Sequence, residues 1–347
     1  MPVTMLDIAK ETGLSRRTVG LALGPSAHLL RPETCSRIQA ACRKMGYRPN
    51  SSALAMKTGR FNCIGLLQST GRARSYMPDG LAEGIHDRLL EDDLQLAVAR
   101  LPDERLTDAH FVPRILRQWT CDGLLIDYIN DIPPRLEELI AHHHIPSIWI
   151  NAKRTVDCVY PDDFAAARTA TQEFLQRGHR RIAYLRCARG YSTLGRHYSE
   201  LDRRDGYLAA MQSAQLPAHV AGDDRAIPVA ELHRFTRALL TAPDRPTAWV
   251  VYSDHEAAAL LTAGLSLGFV QPPPTIAFAG APIEIGGLAV PTMRIPEREL
   301  GRRAVSLLLE KICAPTLPLA PLPLSLVLDP AAAQALDASL PPPANPG

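Results

Sequence analysis

The chain has 347 residues, 46% of them hydrophobic and 21% charged, with a formal net charge of +2. That length exceeds one small core, and the composition excludes a disordered polypeptide. No apolar run approaches the roughly 18 residues needed to cross a bilayer, and no N-terminal segment reads as a signal peptide, so the chain is expected in the cytoplasm. The seven cysteines are scattered with no C-x-x-C pair, which points to neither a zinc site nor a disulfide framework. Charge is segregated: residues 1–60 hold ten Lys/Arg against Asp7, Glu11 and Glu33, a net +7 that leaves −5 for the remainder. A basic head on an acidic body is the footprint of a nucleic-acid contact at one end.

Residues 4–23 spell two short helices and a tight turn. Thr4 caps the first helix with Asp7 three residues on, a variant of the capping box. Ile8 and the small Ala9 face inward, and Gly13 falls where the chain must reverse. Ser15 caps the second helix, whose buried face is Val19 and Leu23 at i, i+4. This is a helix-turn-helix, whose second helix enters the DNA major groove; an ordinary helical hairpin is the plainer alternative. Pro32 opens a third helix with an apolar stripe of Ile38, Ala41, Cys42 and Met45 that ends at Gly46. Pro49 breaks it at Arg48. A short segment at about 50–58 reads as a hinge helix, marginal in isolation.

From Cys63 onward, apolar strands alternate with helices. Strands are expected at Ile64–Leu67, Leu94–Val98, Gly123–Ile126 and Ser147–Ile150, with helices at Leu81–Leu90 and Leu136–Ala141. A second series runs from a helix at Phe164–Gln176 through strands at Arg181–Leu185, Ala248–Tyr252 and Thr275–Phe278. Its further helices lie around Tyr207–Gln212 and at Ala257–Leu267. Such alternation means parallel sheets covered on both faces, hence two α/β lobes with a ligand at the carboxyl ends of their strands. A last helix at Glu297–Ile312 precedes a strand at Leu324–Leu328. His142, His143 and His144 read as a solvated helix end rather than a metal tract. The Pro-rich end reads as a disordered tail.

The stretches Val3–Ala9, Gly13-Leu14-Ser15, Thr18-Val19 and Gly46–Asn50 resemble the lactose/galactose-repressor (LacI/GalR) family of bacterial transcriptional regulators. So do Asp122–Leu125, Gly178–Ile182, Arg203–Tyr207 and Glu299–Ala304, in this order and spacing. The resemblance covers essentially the whole chain. It implies an α/β fold: an N-terminal helix-turn-helix DNA-binding domain plus a two-lobed periplasmic-binding-protein-like (Rossmann-like) effector domain. The expected boundaries are 1–60 for the DNA-binding domain; 61–160 plus about 292–319 for the first lobe; 161–291 plus about 320–335 for the second; and 336–347 for the tail.

Carried over residue by residue, the recognition helix presents Ser15, Arg16, Arg17 and Leu21 to DNA. Further contacts are expected from Thr4, Thr18, Tyr47, Asn50 and Ala53. Arg16 and Arg17 each either read guanine through two hydrogen bonds or hold phosphate. Met56 stands where the family has a minor-groove wedge; the alternative is packing between two hinge helices. For the effector, the expected contacts are Tyr76, Asn151, Asp162, Arg203 and Asp254, with helix capping the alternative for Asp162. Arg203 and Asp254 either grip adjacent sugar hydroxyls or form an interlobe salt bridge.

The chain departs from the family pattern at Gly20, Leu21 and Gly24 in the head, at Tyr76-Met77-Pro78, and at Ala279-Gly280-Ala281-Pro282. The partners implied are a palindromic double-stranded DNA operator, a second copy of the chain and a small polar effector of carbohydrate class; no cofactor, metal, catalytic residue or membrane is expected. An enzyme is the rival reading, but no G-x-S-x-G elbow, phosphate-binding glycine loop or metal-spaced His/Glu set is present. A solute-binding protein for transport is the other rival, against which the basic head argues.

Overall fold

The computed structural model describes residues 3–50, 55–56, 58–71, 74–108, 110–118, 120–187, 196–222, 227–271, 273–330 and 336. The chain separates into two compact units, Met1–Phe61 and Asn62–Gly347.

In the first unit, helices α1 (Met5–Thr12), α2 (Arg16–Ala22) and α3 (Pro32–Met45) enclose a small core. The capping box is present: the Thr4 hydroxyl accepts from Asp7 N–H, and the Asp7 carboxylate accepts from Thr4 N–H at 2.9 Å. α1 ends on Gly13 at φ +64° and α3 on Gly46 at φ +66°, left-handed caps that a side chain would strain. Ile8, Val19 and Ile38 are fully buried, one from each helix, with Ala9, Ala22 and Ala41 letting the helices close on them. Burying each such branched side chain contributes about 1.5–3 kcal/mol, so three helices share one small core. A Lys44–Glu11 ion pair at 2.8 Å adds a link between α3 and α1.

The second unit begins with β1 (Cys63–Ser69), α4 (Asp79–Glu91), β2 (Gln95–Leu101), α5 (Arg114–Arg117), β3 (Gly123–Asp127), α6 (Pro134–His142), β4 (Ser147–Ile150) and β5 (Cys158–Pro161). Next come α7 (Asp163–Gln176), β6 (Ile182–Leu185), α8 (Tyr198–Ser213), β7 (His219–Ala221), α9 (Val229–Thr241), β8 (Ala248–Val251), α10 (Asp254–Ser266) and β9 (Thr275–Ala279). A hairpin β10 (Ile283–Ile285) and β11 (Leu288–Val290), then β12 (Thr292–Arg294), α11 (Glu297–Cys313), β13 (Leu322–Leu324) and β14 (Val327–Leu328) complete it.

These strands build two six-stranded sheets, ordered β13-β5-β4-β3-β1-β2 and β14-β12-β9-β8-β6-β7. All pairings are parallel except β12 with β14. β3, β4, β6 and β8 are buried at every position, as strands covered on both faces must be. Each sheet accordingly has a core on either side. In both, chain order reverses beside the first strand, which opens a crevice at the carboxyl ends.

Two helix pairs approach backbone to backbone. A Cβ on Gly84 of α4 would stand 1.9 Å from Arg298 O of α11, and one on Gly206 of α8 would stand 2.2 Å from Phe164 O of α7. Those contacts explain why glycine sits in the Arg203–Tyr207 motif.

Several expectations are corrected. Thr292–Arg294, expected to lead back into the first lobe, pairs with β9 in the second sheet, and only α11 returns to the first. Leu322–Leu324, expected in the second lobe, is an edge strand of the first sheet, and only Val327–Leu328 joins the second. Strands of two or three residues show no alternation, so their pairing was not legible; Pro323 is tolerated because β13 is an edge. Leu336, assigned to the tail, is 2% exposed and packs in the second lobe's core, whereas 337–347 lie outside the described residues. α9, not among the expected helices, carries a stripe of Leu232, Phe235, Leu239 and Leu240. His142, His143 and His144 are exposed at the end of α6, and no metal-competent cluster occurs among the described residues.

Candidate functional site

The first candidate site is the exposed start of α2. Ser15 caps it, accepting from Thr18 N–H at 3.0 Å, and its hydroxyl lies 2.8 Å from that of Thr18. These two hydroxyls, like that of Thr4, are therefore engaged in holding helix ends. Arg16 and Arg17 are exposed and form no ion pair or hydrogen bond among the described residues. Leu21 is half-buried. Tyr47 lies half-buried within the electrostatic reach of Arg16; burial and then Cys42 push its phenol pKa up. Asn50 is exposed, Ala53 lies outside the described residues, and Met56, within a helical turn, is 86% exposed. Two unpaired guanidiniums on the first turn of a capped helix form a surface suited to base edges or phosphates.

The second is a cleft of about 1000 Å³ at the carboxyl ends of both sheets. Tyr76, Asn151, Arg203 and Asp254 all line it. Asp162 does not. Its carboxylate caps α7 by accepting from Ala165 N–H at 3.0 Å, and the neighbouring Asp163 faces the cleft. Asp163 instead holds Arg203: Nε donates to Oδ1 at 2.7 Å, while Nη1 donates to Tyr252 O at 2.6 Å. The guanidinium is wedged between the rings of Phe278 and Tyr252, 4.4 and 4.8 Å from their centroids. Burial alone would lower the Arg203 pKa, but Asp163 and the tyrosines hold it above its ordinary value. Nη2 has no hydrogen bond among the described residues, leaving one donor edge for a ligand. The alternative of an interlobe Arg203–Asp254 salt bridge is not realised: both residues belong to the second lobe, and Arg203 is engaged by Asp163 and Tyr252 O.

Sequence reasoning missed His197, Ser199 and Tyr252. His197 Nε2 lies 2.9 Å from Asn151 O, and Nδ1 lies 2.7 Å from Ser199 Oγ. Burial lowers the imidazole pKa, which favours the neutral ring. A carbonyl only accepts, so Nε2 carries the proton, Ser199 donates to Nδ1, and Ser199 accepts from the Tyr252 hydroxyl at 3.0 Å. Tyr198 OH also reaches Asn151 Oδ1 and Pro161 O, each at 3.2 Å. Asn151 adopts φ +53°, which asparagine tolerates, and it presents both oxygens to the second lobe. A Lys153–Asp202 ion pair at 2.7 Å lies beside this contact. No local pattern signals these residues, since the fold brings the start of α8 and the end of β8 to the end of β4.

A polar cleft between two lobes joined by hydrogen bonds, in a chain with a helix-turn-helix, defines a ligand-responsive DNA-binding regulator. Residues 171–328 match the periplasmic binding protein-like domain family. The chain is 30% identical over 243 residues to the HTH-type transcriptional regulator RafR of Escherichia coli, covering 62% of this chain and 70% of that one. It is 27% identical over 332 residues to the ribose operon repressor of Escherichia coli, covering 90% and 94%. A Lac repressor dimer, solved bound to operator and an anti-inducer, superposes with a TM-score of 0.71 at 20% identity, covering 94% of this chain and 98% of that one. The chain belongs to the LacI/GalR family of bacterial transcriptional regulators. It is a DNA-binding transcriptional regulator, as the relatives it matches are.

Proposed function

We propose that the chain is a cytoplasmic repressor that binds a palindromic operator as a homodimer, and that a small carbohydrate in the interlobe cleft sets its operator affinity. In this reading residues 1–60 read DNA. Arg16, Arg17 and Leu21 contact base edges, Thr4, Ser15, Thr18, Tyr47, Asn50 and Ala53 support the backbone contact, and Met56 wedges the minor groove. Two heads need two chains, because one head buries little surface.

The effector reading is carried by the unpaired Nη2 of Arg203, a buried guanidinium edge in a polar cleft, with Asn151, Tyr76 and Asp254 from the surrounding loops. Closure of the lobes on the effector biases the ordering of the hinge at about 50–58, a population shift set by differential affinity. The test is selection of bound duplexes from a random pool at two salt concentrations. An enriched palindrome whose affinity falls steeply with salt supports the reading. Binding without an enriched sequence, or no binding, defeats it.

A further inference from the structure

The charge inventory of the cleft narrows the chemistry of what it holds. Six carboxylates line it, namely Asp79, Asp163, Glu200, Asp254, Glu284 and Glu297, against two guanidiniums, Arg203 and Arg294, and no lysine. Asp163 is committed to Arg203, and Glu200 to Arg186. Asp79, Asp254, Glu284 and Glu297 form no ion pair among the described residues.

Three of these carboxylates converge from both lobes. Asp79 opens α4 and Glu297 opens α11, the helix pair on the first sheet, while Asp254 opens α10 on the second. All three act electrostatically on the phenol of Tyr76, which burial and then Glu297, Asp254 and Asp79 push above its ordinary pKa. An acid in the first turn of a helix favours that helix, which accounts for Asp79 and Asp254 in part. It does not account for the seat of Glu297. A Cβ on Gly280 would stand 1.9 Å from Glu297 Oε1, and one on Gly80 would stand 2.9 Å from Oε2. The carboxylate thus threads between two glycine backbones, one per lobe, and accepts no hydrogen bond from either. The loop Ala279-Gly280-Ala281-Pro282 brings no charged side chain of its own to that place.

Resting on the effector-cleft reading above, we infer that the effector carries a protonated amine, held by Glu297, Asp79 and Asp254 over the ring of Tyr76, and an oxygen acceptor for the free edge of Arg203. The class is an amino sugar. Burial pushes the Glu297 carboxyl up, against which Arg294 attracts without forming an ion pair, and the like charges of Asp79 and Asp254 resist closure. An ammonium between them turns that repulsion into attraction, and the Tyr76 face, on a residue 59% exposed, adds a cation–π contact. Lobe closure is then coupled to the charge of the ligand.

The experiment is titration calorimetry on the full-length chain with glucosamine, glucose and N-acetylglucosamine, and with the galacto and manno counterparts. The expected result is that one amine binds at least about tenfold tighter than its parent hexose and its N-acetyl form, with affinity falling as pH rises past the amine's own pKa. Glu297→Gln and Asp79→Asn each weaken the amine about tenfold without weakening the parent hexose, whereas Arg203→Lys weakens both. A parent hexose that binds as tightly as its amine, and that Arg203→Lys still weakens, overturns the amine while sparing the cleft. An amine indifferent to Glu297→Gln and Asp79→Asn also overturns it. If no compound in any series binds, the inference falls together with the carbohydrate-cleft reading.

Discussion

The imidazole of His197 donates to the main-chain carbonyl of Asn151 across 2.9 Å, joining the loop before α8 to the end of β4. The contact is one of the polar ties between the two lobes, and it sits in the wall of the cleft. Because burial lowers the His197 pKa, the folded protein gives up protons there that the unfolded chain still binds. The sign follows: this contribution is complete above the ordinary imidazole value of about 6.5 and is lost as pH falls through the depressed folded value. His179, lowered by burial as well, acts in the same direction. Asp127, raised by burial to about 6, acts oppositely, so stability from that group falls as pH rises from the ordinary carboxylate value toward 6. The difference in Tm between the parent chain and His197→Gln should therefore shrink on acidification from pH 7.5 to 5. A difference independent of pH would rule out the neutral, proton-donating imidazole.

Asp162 and Asp163 are adjacent but should fail differently. Asp162→Ala removes a helix cap and should cost about 1 kcal/mol with effector binding retained. Asp163→Asn leaves Arg203 buried without a counter-charge and should cost about 3–5 kcal/mol, with effector binding lost. Denaturant titration and calorimetry on both variants separate the two roles. Equal effects would contradict the division.

Arg16→Ala and Arg17→Ala should each weaken operator binding by about 10- to 100-fold where the guanidinium reads a base. A phosphate-bound arginine behaves otherwise: its loss weakens all sequences alike and reduces the salt dependence by about one charge. Gel shifts on operator and scrambled duplexes at two salt concentrations distinguish these outcomes for each position.

Gly20 occupies the interior of α2, yet an added Cβ would meet only Met5 Sδ, at 3.9 Å. Packing does not require glycine there, so Gly20→Ala should stabilise the head by about 1 kcal/mol through helix propensity alone. A thermal melt followed by the head's helical signal measures it. Lower operator affinity in the same variant would place the missing side chain's space against DNA.

Gly206→Ala is the counterpart, since its Cβ would press on Phe164 O at 2.2 Å. Separating α7 from α8 should cost about 1–3 kcal/mol or more and loosen the Asp163–Arg203 pair that spans them. Weaker effector binding should accompany the lower Tm.

The helix-turn-helix was legible because its signals are local. Thr4 and Ser15 cap, Gly13 turns, and Val19 follows at fixed offsets. Parallel strands such as Gly123–Asp127 and Ala248–Val251 were legible as apolar runs between helices. Asp162 was misassigned because a helix start displaced by one residue exchanges a cap for a cleft ligand. His197, Ser199 and Tyr252 were invisible for another reason. They lie far from Asn151 in sequence, and only the sheet topology brings them to it. Glu297 stood two residues before a recognised motif, but nothing in sequence shows that Gly80 and Gly280 leave it room.

The polypeptide passes between the two sheets three times, after β5, after β12 and after β13. The last two passages set the order of assembly on the ribosome. Leu322 pairs with Val159 and Leu328 with Met293, so neither sheet receives its closing edge strand until the chain beyond residue 321 has been synthesised. Neither lobe can mature ahead of the other as a finished unit, and a stop codon near residue 320 would strip an edge from both at once. The two halves of the effector domain are thereby committed to succeed or fail together during translation.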